Sequence, residues 1–320
     1  MRFPFVTPPS TRSENTHTLS RRRGGGGKGS GGGGKGGVGS SGSEGGSGGR
    51  STSSSVSTSG TSRSATSYGG GGGKSVTIPA GQTFAGRTEG GATRDQVFGT
   101  STYGSGYPGI SGRGVSGRGF PFFFWPIVWG GAIGTGSTAY LHDTQEYGQP
   151  DNTTRPGGPM MISTFVSSAS TSSNSTLSPT TFHVLADNTT VIALISAITS
   201  NCTSFNLNTT ASSSNTTNPS ALNASDPNAP KPEQAIEYYR ASSVVLTLNG
   251  YNNSAALSDN DNATNTPLPS GIDTTLQDCL NQTIGAAVPL IDGARSVTSM
   301  GFEGVGLVSL FIVFIQLLAV

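Results

Sequence analysis

Ten asparagines in this 320-residue chain stand in N-x-Ser/Thr triplets, the acceptor pattern for N-linked sugars. All ten lie after residue 150, and Asn15 is the only other asparagine before the first of them. This clustering indicates that the second part of the chain enters a compartment where sugars are attached. The triplets begin at Asn152, Asn174, Asn188, Asn201, Asn208, Asn215, Asn223, Asn252, Asn262 and Asn281.

The chain has two cysteines, Cys202 and Cys279. A pair of cysteines in an oxidising compartment typically forms a disulfide, whereas a structural zinc site needs four ligands. We therefore predict one Cys202–Cys279 disulfide, with two unpaired buried thiols as the alternative.

The end of the sequence has the layout of a glycosylphosphatidylinositol (GPI) attachment signal. Residues 305–320 are uncharged and apolar, residues 295–304 form a polar spacer, and small side chains precede that spacer. Sixteen residues at about 1.5 Å each span only about 24 Å of a hydrocarbon core about 30 Å thick. We predict attachment at Asp292 or Gly293.

Residues for catalysis are sparse. The histidines His17, His142 and His183 lie in unrelated contexts, so no pair has the spacing of a metal site. His142 is close in sequence to Asp143 and Glu146, but neighbours on a glycine-rich loop are poorly preorganised as a base and its partner. We predict no catalytic residue, no metal site and no cofactor.

Composition divides the chain into two parts. Through residue 120 there are fourteen Lys and Arg against four acids, and the remainder has four against thirteen. The first part is dominated by glycine and serine and offers few side chains to bury, which predicts disorder. Its single Arg-Gly-Gly triplet and sparse aromatics give no reason to expect specific nucleic-acid binding.

Helical periodicity occurs three times after residue 182. The first segment begins at Asp187 or Asn188, the second at Pro232 and the third at Asp273. The cysteines lie on the inner stripes of the first and third segments. These patterns predict a small all-α, disulfide-linked domain of about three helices, or an α+β domain if the β-branched end of the second segment is a strand.

The predicted organisation has five parts. They are a disordered basic spacer (1–118), an apolar aromatic segment (119–141), a polar Ser/Thr-rich linker (142–181), a glycosylated helical domain (182–291) and the attachment signal with its hydrophobic tail (292–320). The aromatic segment must be covered by the domain, a membrane surface or a bilayer. Its Trp125 and Trp129, with Tyr140, are candidates for contact with carbohydrate or membrane.

The blocks RGFPFFFWPIVWGGAIGTGSTAYL and PEQAIEYYRASSVVLTLNGYNN, together with the glycine-rich start and the GPI-type tail, resemble a group of basidiomycete fungal surface proteins. The resemblance covers about residue 118 to the C-terminus. It implies a GPI-anchored, cell-wall-associated glycoprotein with a small disulfide-linked helical domain, and it implies no activity.

The sequence thus predicts a non-catalytic surface glycoprotein with a structural or adhesive role, at the outer leaflet of the plasma membrane or in the cell wall. Its expected partners are membrane lipid, through the anchor, and cell-wall polysaccharide. The alternative is a signal-anchored (type II) membrane glycoprotein that spans the bilayer at 120–141 with its basic N-terminal flank in the cytosol. That alternative accounts for the absence of an apolar stretch of signal-peptide length in residues 1–23.

Overall fold

The computed structural model describes residues 51–129, 139–167, 179–205, 207, 218–258, 260 and 262–293. Within these residues strands and helices are nearly equal in extent, so the predicted all-α class is wrong. The strands are β1 (Ser53–Thr58), β2 (Thr61–Thr66), β3 (Val76–Thr77), β4 (Thr88–Glu89), β5 (Met160–Val166), β6 (Thr181–Asp187), β7 (Ser220–Ala221), β8 (Ala235–Tyr239), β9 (Val244–Leu248) and β10 (Leu290–Ile291). The helices are α1 (Thr144–Tyr147), α2 (Asn188–Asn201) and α3 (Thr274–Ala287).

An antiparallel five-stranded sheet of order β7-β5-β6-β9-β8 forms the centre of the fold. Every residue of β9 is buried, because this strand lies inside the sheet and is covered on both faces. Helix α2 packs on β5 and β6 and also contacts α3. The two long helices are thereby placed side by side, which positions the cysteines.

Both long helices begin at the predicted aspartates. The carboxylate of Asp187 accepts a hydrogen bond from the Thr190 amide at 3.0 Å, and that of Asp273 accepts one from the Leu276 amide at 2.9 Å. Such N-caps satisfy backbone donors that have no partner within the helix. The local signals therefore located α2 and α3 correctly.

The second predicted helix does not exist. After a short 3₁₀ turn at Pro232–Gln234 the chain forms β8, turns, and returns as β9. Val244, Val245 and Thr247 are β-branched and fit a pleated, buried surface better than a helix. Residues 244–248 therefore form a strand, β9, which is buried between β6 and β8.

The predicted disorder of the first half is wrong for residues 51–118. Strands β1 and β2 form a hairpin to which β10 adds a third strand, and β3 pairs with β4. Glycines allow the loops to pack closely here: Gly104 has a φ of +93°, and a Cβ on it would lie 2.1 Å from the Gly114 carbonyl oxygen. Residues 1–50 lie outside the described residues.

The aromatic segment supplies the core that the glycine-rich region lacks. Phe120, Phe122 and Trp129 are buried in the main core. Phe123 and Phe124 form a smaller cluster with Val56, Ala65 and Ile291. Among the residues that the structure describes, no helix is long and apolar enough to cross a bilayer.

Candidate functional site

The predicted disulfide is confirmed. Cys202, at the C-terminal end of α2, is bonded to Cys279 within α3, with Cα atoms 6.0 Å apart. Cys202 is fully buried, and Cys279 packs at the edge of the main core. The bond joins two helices whose N-termini are 86 positions apart in sequence, so it fixes a long-range contact.

Four of the sequon asparagines are exposed on the surface. They are Asn201, Asn223, Asn252 and Asn262. Asn152, Asn188 and Asn281 are partly buried, and Asn174, Asn208 and Asn215 lie outside the described residues. Asn201 Nδ2, the atom that would carry a sugar, donates to the Tyr68 hydroxyl at 2.8 Å, and the occupancy of all four remains a prediction.

The side chain of Asn281 contacts strand β8. Its side-chain oxygen accepts a hydrogen bond from the Tyr239 hydroxyl at 2.7 Å. The carboxylate of Glu237, on the same strand as Tyr239, also accepts a hydrogen bond from the Asn281 side chain. Burial raises the pKa of Glu237 to about 7, and the Asn281 hydrogen bond opposes that rise.

The predicted attachment residues follow β10 directly. The Gly71 amide donates to the Asp292 carboxylate at 2.8 Å, and the Gly293 amide donates to the Gly71 carbonyl at 3.1 Å. An attached lipid would therefore begin at the edge of the folded domain, without a flexible stalk between them. The apolar run 305–320 is outside the described part of the chain.

The three aromatic residues predicted to contact carbohydrate or membrane do not form one surface. Trp129 is 1% exposed, and its indole N–H donates to the Tyr238 hydroxyl at 3.2 Å. Burial leaves Trp129 no ring face for a ligand, so that assignment requires correction. Trp125 is partly exposed beside Phe84, with ring centres 4.9 Å apart, and Tyr140 stacks on Tyr103.

The side chains around α1 have structural partners. The carboxylate of Asp143 caps α1, and that of Glu146 pairs with Arg87. His142 Nδ1 lies 2.6 Å from the Trp129 carbonyl oxygen. His142, Asp143 and Glu146, considered above as a possible base and its partners, thus each contact a different group.

An open depression of about 410 Å³ lies between the ends of β6 and β9 and the segment before α3. The described residues that line it, among them Thr181, Asn249 and Ser270, include no charged side chain. No group of three or more His, Cys, Asp or Glu that could hold a metal occurs in the described ranges. The described lining of the depression therefore supplies no charged side chain.

The turn between β8 and β9 has an unusual backbone conformation. Arg240, Ala241 and Ser242 have φ values of +51°, +49° and +59°. Left-handed backbone costs an L-residue with a side chain about 1–3 kcal/mol at each position. Three consecutive residues of this kind, none of them glycine, make the turn strained.

The surroundings of Arg240 hold this turn in place. Its guanidinium is fully buried, lies 2.7 Å from the Asp187 carboxylate and donates to the Pro289 carbonyl at 2.9 Å. Burial lowers the pKa of Arg240, and the carboxylate of Asp187 acts in the opposite direction. Arg240 also donates through Nε to the Ser243 hydroxyl at 2.7 Å. The sequence Arg-Ala-Ser-Ser gave no sign of this site, because it lacks the Gly or Asn that usually marks left-handed backbone.

No family model, no curated protein and no solved structure matches this chain. Functional conclusions therefore rest on its own residues and their geometry.

Proposed function

We propose that the protein is a GPI-anchored cell-surface or cell-wall glycoprotein whose folded domain has a structural or adhesive, non-catalytic role. The observation that carries the proposal is the Cys202–Cys279 disulfide beside an exposed set of sequon asparagines. Disulfides persist in the oxidising secretory route, and N-linked sugars are added there. Two independent chemical features thus support the same compartment.

The geometry at the C-terminal edge of the domain supports the anchor. Asp292 and Gly293 are bonded to Gly71 in a loop beside the three-stranded sheet, so attachment at either would hold the domain close to the lipid. The exposed Asn223 and Asn262 would carry sugars on the same domain. A rigid, sugar-covered domain held against a membrane or wall suits a structural or adhesive role.

Burial of the aromatic segment also favours this proposal over the signal-anchored alternative. A span at 120–141 would have to extract Phe120, Phe122 and Trp129 from the core. Their removal would expose apolar surface of the main core.

The test is release from cells by phosphatidylinositol-specific phospholipase C. The chain, tagged after the exposed Ser225 and given a host signal sequence, is expressed in a fungal host beside a known GPI-anchored control. We expect enzyme-dependent release together with the control, and a mobility increase when N-glycans are removed. Retention while the control is released would contradict the anchor.

A matched variant separates the anchor from the fold. Phe311→Arg with Phe314→Arg places two charges in the apolar tail and leaves residues 51–293 unchanged. We expect this variant to lose its surface attachment and to keep its sugars. Unchanged attachment would show that the tail is not an attachment signal.

A further inference from the structure

We propose that the chain cleaves its own backbone between Ser242 and Ser243, with the Ser243 hydroxyl as the nucleophile. The proposal goes beyond the surface role, because it adds a covalent reaction that the protein performs once on itself. It rests on the backbone of the β8–β9 turn and on the contacts of the two serines.

The first argument is strain next to the bond. Residues 240–242 all have positive φ, and the last of them supplies the carbonyl of the proposed scissile bond. Breaking the bond after Ser242 frees these residues from closing the hairpin between β8 and the fully buried β9. Strain of this kind raises the energy of the intact chain relative to the products and so favours cleavage.

The second argument is the environment of the nucleophile. Ser243 Oγ accepts a hydrogen bond from Arg240 Nε at 2.7 Å and donates to the Arg240 carbonyl oxygen at 2.8 Å. A buried cation beside a hydroxyl oxygen stabilises the negative charge that develops there during attack. The Ser243 amide donates to the same Arg240 oxygen at 3.2 Å, so one carbonyl contacts both the proton donor and the nitrogen that must receive a proton.

The third argument concerns the carbonyl under attack. The Ser242 carbonyl oxygen accepts a hydrogen bond from the Ile127 amide at 2.8 Å. A fixed backbone donor at this oxygen stabilises the charge of a tetrahedral intermediate. Ile127 belongs to the buried aromatic segment, so the donor is held by the core.

The reaction balances with water as the only co-reactant. Ser243 Oγ bonds to the carbonyl carbon of Ser242, the carbon–nitrogen bond breaks, and the hydroxyl proton ends on the nitrogen, which becomes an amine. Water then hydrolyses the ester, which leaves a carboxylate on Ser242 and restores the Ser243 hydroxyl. The intact turn is buried, so the turn must open after the first step to admit water.

The disulfide determines how the products behave. Cys202 lies before the cleaved bond and Cys279 after it, so the bond joins the two fragments. The β8–β9 pairing adds noncovalent contact across the cut. Cleavage would therefore be invisible until the protein is both denatured and reduced.

The test is electrophoresis of the purified, deglycosylated full chain with and without reductant, followed by mass spectrometry of the fragment ends. We expect one band without reductant and two with it, ending at Ser242 and beginning at Ser243. Hydroxylamine, which attacks esters, should accelerate the appearance of the fragment that begins at Ser243, whereas its attack on the Asn249–Gly250 bond would give a fragment that begins at Gly250. Absence of a fragment that begins at Ser243 after reduction, with and without hydroxylamine, would overturn the proposal.

Variants separate self-cleavage from a host protease. Ser243→Ala should give a single chain, Ser243→Thr should still cleave, and Ser242→Ala is the matched control that retains the nucleophile. Ala241→Gly relieves strain at one position and should slow cleavage about tenfold. Cleavage at the same bond in Ser243→Ala would overturn the proposal. If Ser243→Ala fails to form the disulfide, Ser243→Thr decides, and an uncut, disulfide-bonded Ser243→Thr chain would also overturn it.

Discussion

The Cζ atom of Arg240 lies 3.5 Å from the centre of the Phe124 ring. Arg240 belongs to the β8–β9 turn, and Phe124 belongs to the aromatic segment more than a hundred residues earlier. The buried charge is stabilised by the ring face and by Asp187 together. This contact connects the predicted aromatic segment (119–141) with the predicted helical domain (182–291).

Removal of that charge should be costly. Arg240→Met leaves Asp187 buried without its cation, and breaking a buried pair in this way typically costs about 3–5 kcal/mol. Urea unfolding followed by tryptophan fluorescence measures the loss. Arg63→Met is the comparison, because Arg63 also lies over a phenylalanine ring and pairs with a buried acid, Glu89, while its own side chain is a quarter exposed. Equal losses in the two variants would contradict the role assigned to burial of the guanidinium.

In a chain kept uncut by Ser243→Ala, loss of the disulfide should lower the free energy of unfolding by about 4.5 kcal/mol on the chain-entropy estimate for a loop of this length. The double change Cys202→Ser and Cys279→Ser in that background provides the test, since the cysteines are 77 positions apart. The reduced Ser243→Ala protein serves as the control and should unfold at a similar urea concentration. A double variant as stable as the oxidised protein would show that the bond contributes nothing.

Stability should fall between pH 4.5 and 7 because of Glu237. Burial raises its pKa from an ordinary value near 4.5 to about 7, so in this range the unfolded chain releases a proton that the folded chain keeps. The contribution is full below pH 4.5 and is lost as the pH rises through 7. Glu237→Gln should remove this decline and be more stable than wild type at pH 8, whereas Glu233→Gln should retain the decline. Urea midpoints at several pH values test this, and an unchanged slope in Glu237→Gln would contradict it.

Replacement of Trp129 should lower the stability of the protein more than replacement of Trp125. Trp129→Ala should cost about 3–5 kcal/mol, as is typical for a buried aromatic side chain. Trp125 is partly exposed, so Trp125→Ala should cost less. If Trp125 contacts wall polysaccharide, its variant should also bind less β-glucan or chitin in a pull-down while it stays folded. Binding equal to wild type would remove Trp125 from the proposed contact.

Local signals in the sequence were sufficient for the two long helices and the bond between them. Asp187 and Asp273 are short polar side chains placed directly before apolar stripes, and capping depends only on neighbours in sequence. The helix prediction for residues 232–248 was wrong because the apolar positions of this segment fit the period of a helix and that of a strand equally well. Its pairing with β6 depends on residues some sixty positions earlier, which no local pattern contains.

The folding of residues 51–118 was missed for a related reason. A Gly/Ser-rich stretch has too little apolar surface to fold by itself. Residues 51–118 nevertheless fold, because other parts of the chain supply the apolar surface that they lack. Phe123 and Phe124 cover Val56 and Ala65, and β10 completes the sheet from the other end of the domain. The sequence predicted that the aromatic segment must be buried against other residues. Part of the surface that buries it comes from residues 51–118, the region predicted to be disordered.

The pairing of β10 with β2 also sets how the domain would carry a mechanical load. Strands β1 and β10 run in the same direction on either side of β2, because each is antiparallel to it. A force that pulls Ser53 and Gly293 apart would slide β1 and β10 in opposite directions along β2, so the hydrogen bonds that join them to β2 would resist together and not break one at a time. A domain tethered at Gly293 and pulled through Ser53 would then respond as a shear clamp.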